Sequence, residues 1–198
     1  DLHSFPTRRS SDLVLTTQTV GEAYKRSAVI KRYQAEDGEQ HEFTTFFSEE
    51  LVSVLVVAVT TDNKIAMTYQ FRAGPEKWLY DFPGGDGEPG EAVEMVARRE
   101  LVEETGCTPG RFEYIGECYE GPYINIKIAV YLATDCVYNE DAIHLDEAES
   151  SQGAELRFVS AAELFAIARA GDLCVTGPFA LLFDYLDNLS VLDRKSVV

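Results

Sequence analysis

The chain has 198 residues, 45% hydrophobic and 26% charged, with a formal net charge of −17: room for one domain with a real core and a small appended element, in the composition of an ordinary globular protein. Such acidity excludes a nucleic-acid polymer as partner, since that affinity comes from Lys and Arg on phosphates, but it is compatible with a small phosphorylated ligand whose charge a cation masks. No apolar run approaches the roughly 18 residues of a membrane span and no charged-then-apolar leader opens the chain, while Cys107, Cys118, Cys136 and Cys174 form no CxxC pair, so a reducing, cytoplasmic setting away from membranes is expected.

Residues 1–13, "DLHSFPTRRSSDL", resemble translated sequencing-adaptor read-through, as do residues 193–198, "DRKSVV". Both are set aside as non-native tails. Residues 24–33 and 42–47 alternate as strands around the turn-like "EDGE", so residues 14–50 read as an N-terminal strand region. Residues 51–60, "LVSVLVVAVT", are apolar and β-branched almost throughout, the pattern of a strand buried on both faces. "TDNK" turns this strand into a hairpin partner, Ile65–Phe71, and Trp78–Phe82 is a short strand ended by Pro83. The loop "GGDGEPGE" follows, then a helix over Ala92–Glu104 with Gly106 at the left-handed position where helices commonly end. Residues 111–120 and 124–134 read as strands joined by "GPY". An acidic loop, Asp135–Gly153, precedes a strand at 154–160. Ser160 then caps a helix, and Thr176, Gly177 and Pro178 open a final amphipathic helix to about Leu189. The irregular interleaving predicts an α/β or α+β domain over residues 51–192, a mixed sheet sandwiched by helices.

One helix end is chemically odd. In "RRELVEETG", Arg98–Gly106, three glutamates crowd the last turn, where the helix dipole makes carboxylates unfavourable by about 0.3–1 kcal/mol each. At about 100° per residue with Glu100 at 0°, Glu103 falls at about 300° and Glu104 at about 40°, beside Val93, Val96 and Ala97. The acids therefore extend the apolar stripe, and Glu94, Met95, Arg98, Val102 and Thr105 form the solvated face. Arg99 supplies one positive charge. A hard divalent cation held by oxygens would supply the rest. In the preceding loop, Gly84, Gly85, Gly87 and Gly90 let backbone groups approach a ligand closely; Gly85 is assigned to substrate on that ground.

Taken together, Gly85, Glu91, Arg99-Glu100-Leu101, Glu103-Glu104, Gly106 and Cys107 stand at spacings that resemble the full signature of the Nudix hydrolases. The resemblance implies the Nudix fold, an α/β/α sandwich with a mixed β-sheet, and cleavage of a nucleoside diphosphate linked to another moiety. It implies that Glu100, Glu103 and Glu104 bind Mg2+ or Mn2+ with the carbonyl of Gly84. Arg99 would orient the glutamates, with Glu91 as its ion-pair partner. "QFR" (Gln70–Arg72) before "WLYDFPGG", and Pro122 beyond Cys107, resemble the branch that cleaves ADP-ribose and nucleotide sugars, so Arg72 and Pro122 are expected at the substrate. That branch also suggests a homodimer formed through the N-terminal strands.

Gln152 departs from the branch: it stands where a catalytic glutamate is expected, and a glutamine does not accept a proton at neutral pH. Glu149 or Glu147 on the same loop, or Glu103 of the helix, would then be the base, with Glu104 and Arg99 completing the catalytic set. "GPY" lacks the glycine that often follows the proline, which loosens the assignment to ADP-ribose. Two alternatives remain: another nucleoside diphosphate derivative as substrate, such as a dinucleoside polyphosphate or an oxidised nucleotide, or a non-catalytic ADP-ribose-binding domain. His3, His41 and His144 show no ligand spacing. Trp78 and Tyr80 read as core, and Tyr24, Tyr33 and Phe43 as core or base-stacking groups.

Overall fold

The computed structural model describes residues 13–23, 26–35, 37–48, 52–88 and 90–195. Contacts divide the chain into two units, residues 1–50 with Gly121–Ile126, and residues 51–120 with 127–198. The first unit is an antiparallel meander of β1 (Leu13–Ala23), β2 (Arg26–Gln34) and β3 (Gln40–Phe47). β1 was not expected; its threonine-rich alternation lacks the apolar face by which a strand is recognised. Leu13, assigned to the tail, opens it, while residues 1–12, with His3, and Tyr24 lie outside the described residues. Segment 121–126 is stitched to β3: Phe46 N–H donates to Tyr123 O (2.7 Å), and the Asn125 amide bridges the N–H (2.9 Å) and carbonyl (2.7 Å) of Ser48.

The second unit is built on a mixed sheet in the order β10-β5-β4-β9-β7, with β6 on β5 and β8 on β9. Its strands are β4 (Ser53–Thr60), β5 (Ile65–Arg72), β6 (Lys77–Asp81), β7 (Cys107–Thr108), β8 (Arg111–Tyr119), β9 (Lys127–Tyr138) and β10 (Glu155–Val159). Only β4 and β9 pair in parallel among the described strands. As its composition predicts, β4 is buried on both faces. Val54, Val56 and Ala58 pack with Val96, Ala97 and Leu101 of α1 (Val93–Thr105). Leu55, Val57 and Val59 pack with Leu164 and Phe165 of α3 (Ala161–Ala170) and Leu186 and Leu189 of α5 (Phe183–Lys195). This is the expected α/β/α sandwich.

A fork in the sheet positions the site. β5 pairs with β4 only at Ala66 and Ile65, then leaves it to pair with β6 over Thr68–Arg72. The vacated edge of β4 is taken by the loop after β6: Val56 N–H donates to Pro83 O (2.8 Å), Val54 N–H to Gly85 O (3.0 Å), and Ser53 bridges Asp86. The glycine-rich loop is thus threaded as a substitute strand against the buried start of β4.

Two expected elements differ. The acidic loop is shorter than predicted, because β9 runs on to Tyr138 and the loop holds a 3-10 turn (Glu140–Ala142) and a short helix, α2 (Glu147–Ser151). The final helix is two: α4 (Gly177–Leu181) ends at Leu182, and α5 continues to Lys195, so residues 193–195 of the second presumed tail are helical and residues 196–198 lie outside the described residues. Leu182 is itself core, buried with Leu186 and Leu189, so no glycine, proline or polar residue marks the break. Ser160 caps α3 as expected, in a full capping box with Glu163. Among the described residues, no helix is long and apolar enough to cross a membrane.

Candidate active site

α1 begins after Ala92 and ends on Gly106 in the left-handed conformation, whose N–H bonds Val102 O. Its core stripe fixes its rotation, and the acids follow. Glu100 and Glu104 are buried, 7% and 5% exposed. Glu103 is not turned inward with them, its side chain being 39% exposed at the rim. Thr105, expected in solvent, is fully buried where the chain turns into β7; its hydroxyl donates to Leu101 O (2.5 Å) and accepts from Cys107 N–H (3.2 Å).

Arg99 organises the outer acids. Its Nη1 donates to Glu100 Oε1 (2.8 Å) and Glu103 Oε2 (3.0 Å), and its Nε pairs with Glu91 Oε1 (3.3 Å). The expected Arg99–Glu91 pair is therefore present, and Arg99 holds the Glu91 carboxyl below its ordinary range. Glu104 is held differently, Oε2 accepting from Gly84 N–H at 2.6 Å. Gly85 lies flat against Glu100: a Cβ there would meet its carboxyl carbon at 2.8 Å. Close approach, with no side chain, is what this position requires.

Glu149 joins the pair from α2. Its carboxyl lies close enough for its charge to act on both Glu104 and Glu100. Burial pushes Glu100 up to about 7 against the pull of Arg99, and holds Glu104 well above the carboxylate range against the Gly84 hydrogen bond. Arg99 is one cation among Glu91, Glu100 and Glu103, and among the described residues no basic side chain is paired with Glu104 or Glu149. Among the described residues no three histidines, cysteines or acids are grouped as a metal site. The donors nonetheless fit a hard divalent cation by their chemistry: all are carboxylate oxygens, two are buried, and the backbone of Gly84–Gly85 lies against them without side chains.

Arg72, the expected substrate contact, ends β5 in the same unit. Its Nη2 donates to Asp81 Oδ2 at 2.5 Å, and its buried Nε has no hydrogen-bond partner among the described residues. Asp81 was not singled out in the sequence, where the one signal was an acid inside an aromatic strand. It is 2% exposed, accepts also from Phe82 N–H (3.0 Å), and burial pushes its carboxyl up against the pull of Arg72. The Cys174 thiol lies near enough to act on the Asp81 carboxyl, because segment 172–174 runs beside β6, with Cys174 N–H donating to Tyr80 O (2.8 Å). No spacing in the sequence announced that neighbour. Glu147 is exposed at the start of α2, Gln152 uses its carbonyl to accept from Phe71 N–H (3.1 Å), and the exposed Pro122 belongs to the first unit.

Fold and site define an α/β/α sandwich protein that presents buried acids at a helix end beside a glycine-rich strand substitute. The pattern of the NUDIX domain matches residues 49–173, and the chain belongs to the NUDIX family. It is similar to an ADP-ribose pyrophosphatase of Bacillus subtilis (strain 168), 36% identical over 113 residues, 57% of this chain and 61% of that protein. It is also similar to a methanol dehydrogenase activator of Bacillus methanolicus, 37% identical over 98 residues, 49% of this chain and 53% of that one. The chain spans about half to three fifths of the length of these curated relatives. The solved structure of an ADP compounds hydrolase superposes with a TM-score of 0.71 at 18% identity, over 90% of this chain and 95% of the other. At that identity the likeness speaks for the fold.

Proposed function

We propose that this chain hydrolyses the diphosphate of ADP-ribose or a related nucleoside diphosphate sugar, giving a nucleoside monophosphate and a sugar phosphate, with Mg2+ or Mn2+ bound. The observation that carries the proposal is the pair of buried carboxylates, Glu104 and Glu100, set against the backbone of Gly84 and Gly85. The pyrophosphatase among the relatives supports the substrate class.

Glu100, Glu103 and Glu104, with the Gly84 carbonyl, would hold the ion, which when bound withdraws charge from the diphosphate and acidifies a bound water. Arg99 keeps Glu100 and Glu103 oriented, and the Gly84 N–H fixes Glu104. Glu149 takes a proton from the attacking water. The water oxygen forms a bond to phosphorus while the bridging P–O bond breaks, and the electron pair leaves with the departing phosphate. Arg72, its guanidinium anchored by Asp81, contacts the diphosphate or terminal ribose. Glu149 also answers the departure at Gln152: it is a carboxylate of the same loop whose charge acts on Glu104, which favours an enzyme over a silent binding domain. The protein works as a cytoplasmic homodimer.

The test is a chromatographic screen of ADP-ribose, other nucleoside diphosphate sugars, dinucleoside polyphosphates and oxidised nucleotides, with Mg2+, Mn2+ or chelator. AMP and ribose phosphate from ADP-ribose, lost with chelator, are expected. Turnover confined to the polyphosphates or oxidised nucleotides would replace this substrate by the alternative class, and no turnover at all would sink the proposal.

A further inference from the structure

Glu149 sits on a short helix that cannot hold a position by itself, since five residues are too few to be stable alone. Its surroundings fix it instead. On the upstream side His144 N–H donates to Glu103 O (2.8 Å), tying the loop to α1. Within the loop, Asp146 and Glu149 form a reciprocal box: Asp146 N–H donates to Glu149 Oε2 and Glu149 N–H to Asp146 Oδ1, both at 2.7 Å. Downstream, Phe71 N–H of β5 donates to Gln152 O, and Ala154 N–H closes on Glu149 O (3.0 Å). Between these last two lies Gly153, left-handed at φ 67°.

Gly153 rests on the edge of an indole. A Cβ at this position would come within 2.9 Å of the outer ring carbon of Trp78. The indole is braced in turn by Tyr69 (ring centroids 5.5 Å apart, 30° between planes) and Phe71 (6.2 Å). Trp78 is 45% exposed, so its place is not explained as core. It stands on β6, which the fork in the sheet carries away from β4, and the loop bearing Glu149 crosses it.

We propose that Trp78 is a positioning residue for Glu149, its indole seating Gly153 and so fixing the α2 loop at the distance from which Glu149 reaches Glu104. The role rests on the reading of Glu149 as the base of the proposed hydrolysis. Any side chain at 153 both strains the backbone and strikes the ring, so Gly153 and Trp78 act as one latch.

The full chain is assayed with the substrate that the screen identifies. Gly153→Ala is expected to lower kcat roughly tenfold, the cost of a displaced catalytic group, with KM unchanged. Trp78→Ala, which removes the seat without straining residue 153, should repeat that loss if Gly153→Ala folds poorly. In a Glu149→Gln background, Gly153→Ala should add nothing, because both changes remove one contribution. An additive loss would show that the latch acts elsewhere and overturn the proposal. The contact is read without turnover as well: Trp78 is the chain's one tryptophan, and Gly153→Ala should make its fluorescence more open to acrylamide quenching. Unchanged quenching overturns the latch whether or not the wild type hydrolyses anything, and increased quenching with unaltered kcat overturns the positioning role. A wild type with no turnover counts against the proposed function instead, and the latch is then judged on quenching alone.

Discussion

Glu104 shows how much one side chain can carry. Its carboxyl is buried, held by one backbone N–H under the charge of Glu149, and has no cation paired with it among the described residues. An amide is close to the same shape and can still accept from Gly84, yet is a far poorer ligand for a hard cation. Glu104→Gln is therefore expected to lower cation-dependent hydrolysis by about 10²-fold or more, as befits the loss of several kcal/mol of charge stabilisation. In chelator it should melt no lower than the wild type, because the fold loses only a buried acid. Retained turnover would refute the metal role. Cys136 gives a prediction about pH. Burial, with Cys107 nearby, pushes its thiol up to about 12, so the folded chain keeps a proton that the unfolded chain releases near about 8.5. Between those values the native state binds more protons than the unfolded state, and stability falls as pH rises, by at most about 1.4 kcal/mol per pH unit for this thiol. Urea midpoints measured from pH 8 to 10 should decline less steeply in Cys136→Ala than in the wild type. At this scale the sequence was most legible where chemistry is spelled by spacing: Arg99 pairs with Glu91, and Glu100 and Glu104 turn inward along the apolar stripe. Thr105 and Asp81 were misjudged or missed because their burial depends on where the chain turns next.

Elements were legible where a local pattern is self-sufficient. β4 is apolar enough to be buried whatever surrounds it, α1 carries its stripe and its terminal glycine, and α3 carries its cap. That cap invites a direct test. Ser160 Oγ accepts from Glu163 N–H (3.2 Å) while Glu163 Oε2 accepts from Ser160 N–H (2.7 Å), and these bonds hold Glu163 below the usual carboxylate range. Ser160→Ala should cost about 1 kcal/mol of unfolding free energy, read from the urea midpoint at constant slope. Activity should be unchanged, since α3 packs on the face of the sheet opposite α1. The fork of β5 and the break at Leu182 were not legible. Both are choices between partners for the same strand or stripe: β5 could have continued along β4, and α4 could have run into α5. Those choices are decided by tertiary packing, which no window of sequence contains.

At the scale of the whole molecule the question is what steadies the N-terminal meander. Among its described hydrophobic side chains only Val29 and Ile126 are buried, while Val20, Phe43 and Phe46 are 52%, 43% and 51% exposed. A three-stranded sheet with so little of its own surface removed from water is marginal alone, and exposed apolar groups of this kind mark association surfaces. A second copy of the chain, as the homodimer proposed above, would cover them. Each chain carries a formal charge of −17, so two copies repel at long range while apolar contact draws them together. Added salt screens the repulsion, with a Debye length falling from about 30 Å at 0.01 M to about 8 Å at 0.15 M, and leaves apolar burial intact. Sedimentation equilibrium should therefore find a dimer whose dissociation constant decreases from low to physiological salt, the reverse of a salt-bridged interface. Phe46→Asp should shift the equilibrium toward monomer at every ionic strength. A wild type that sediments as a monomer throughout the salt range would rule the homodimer out.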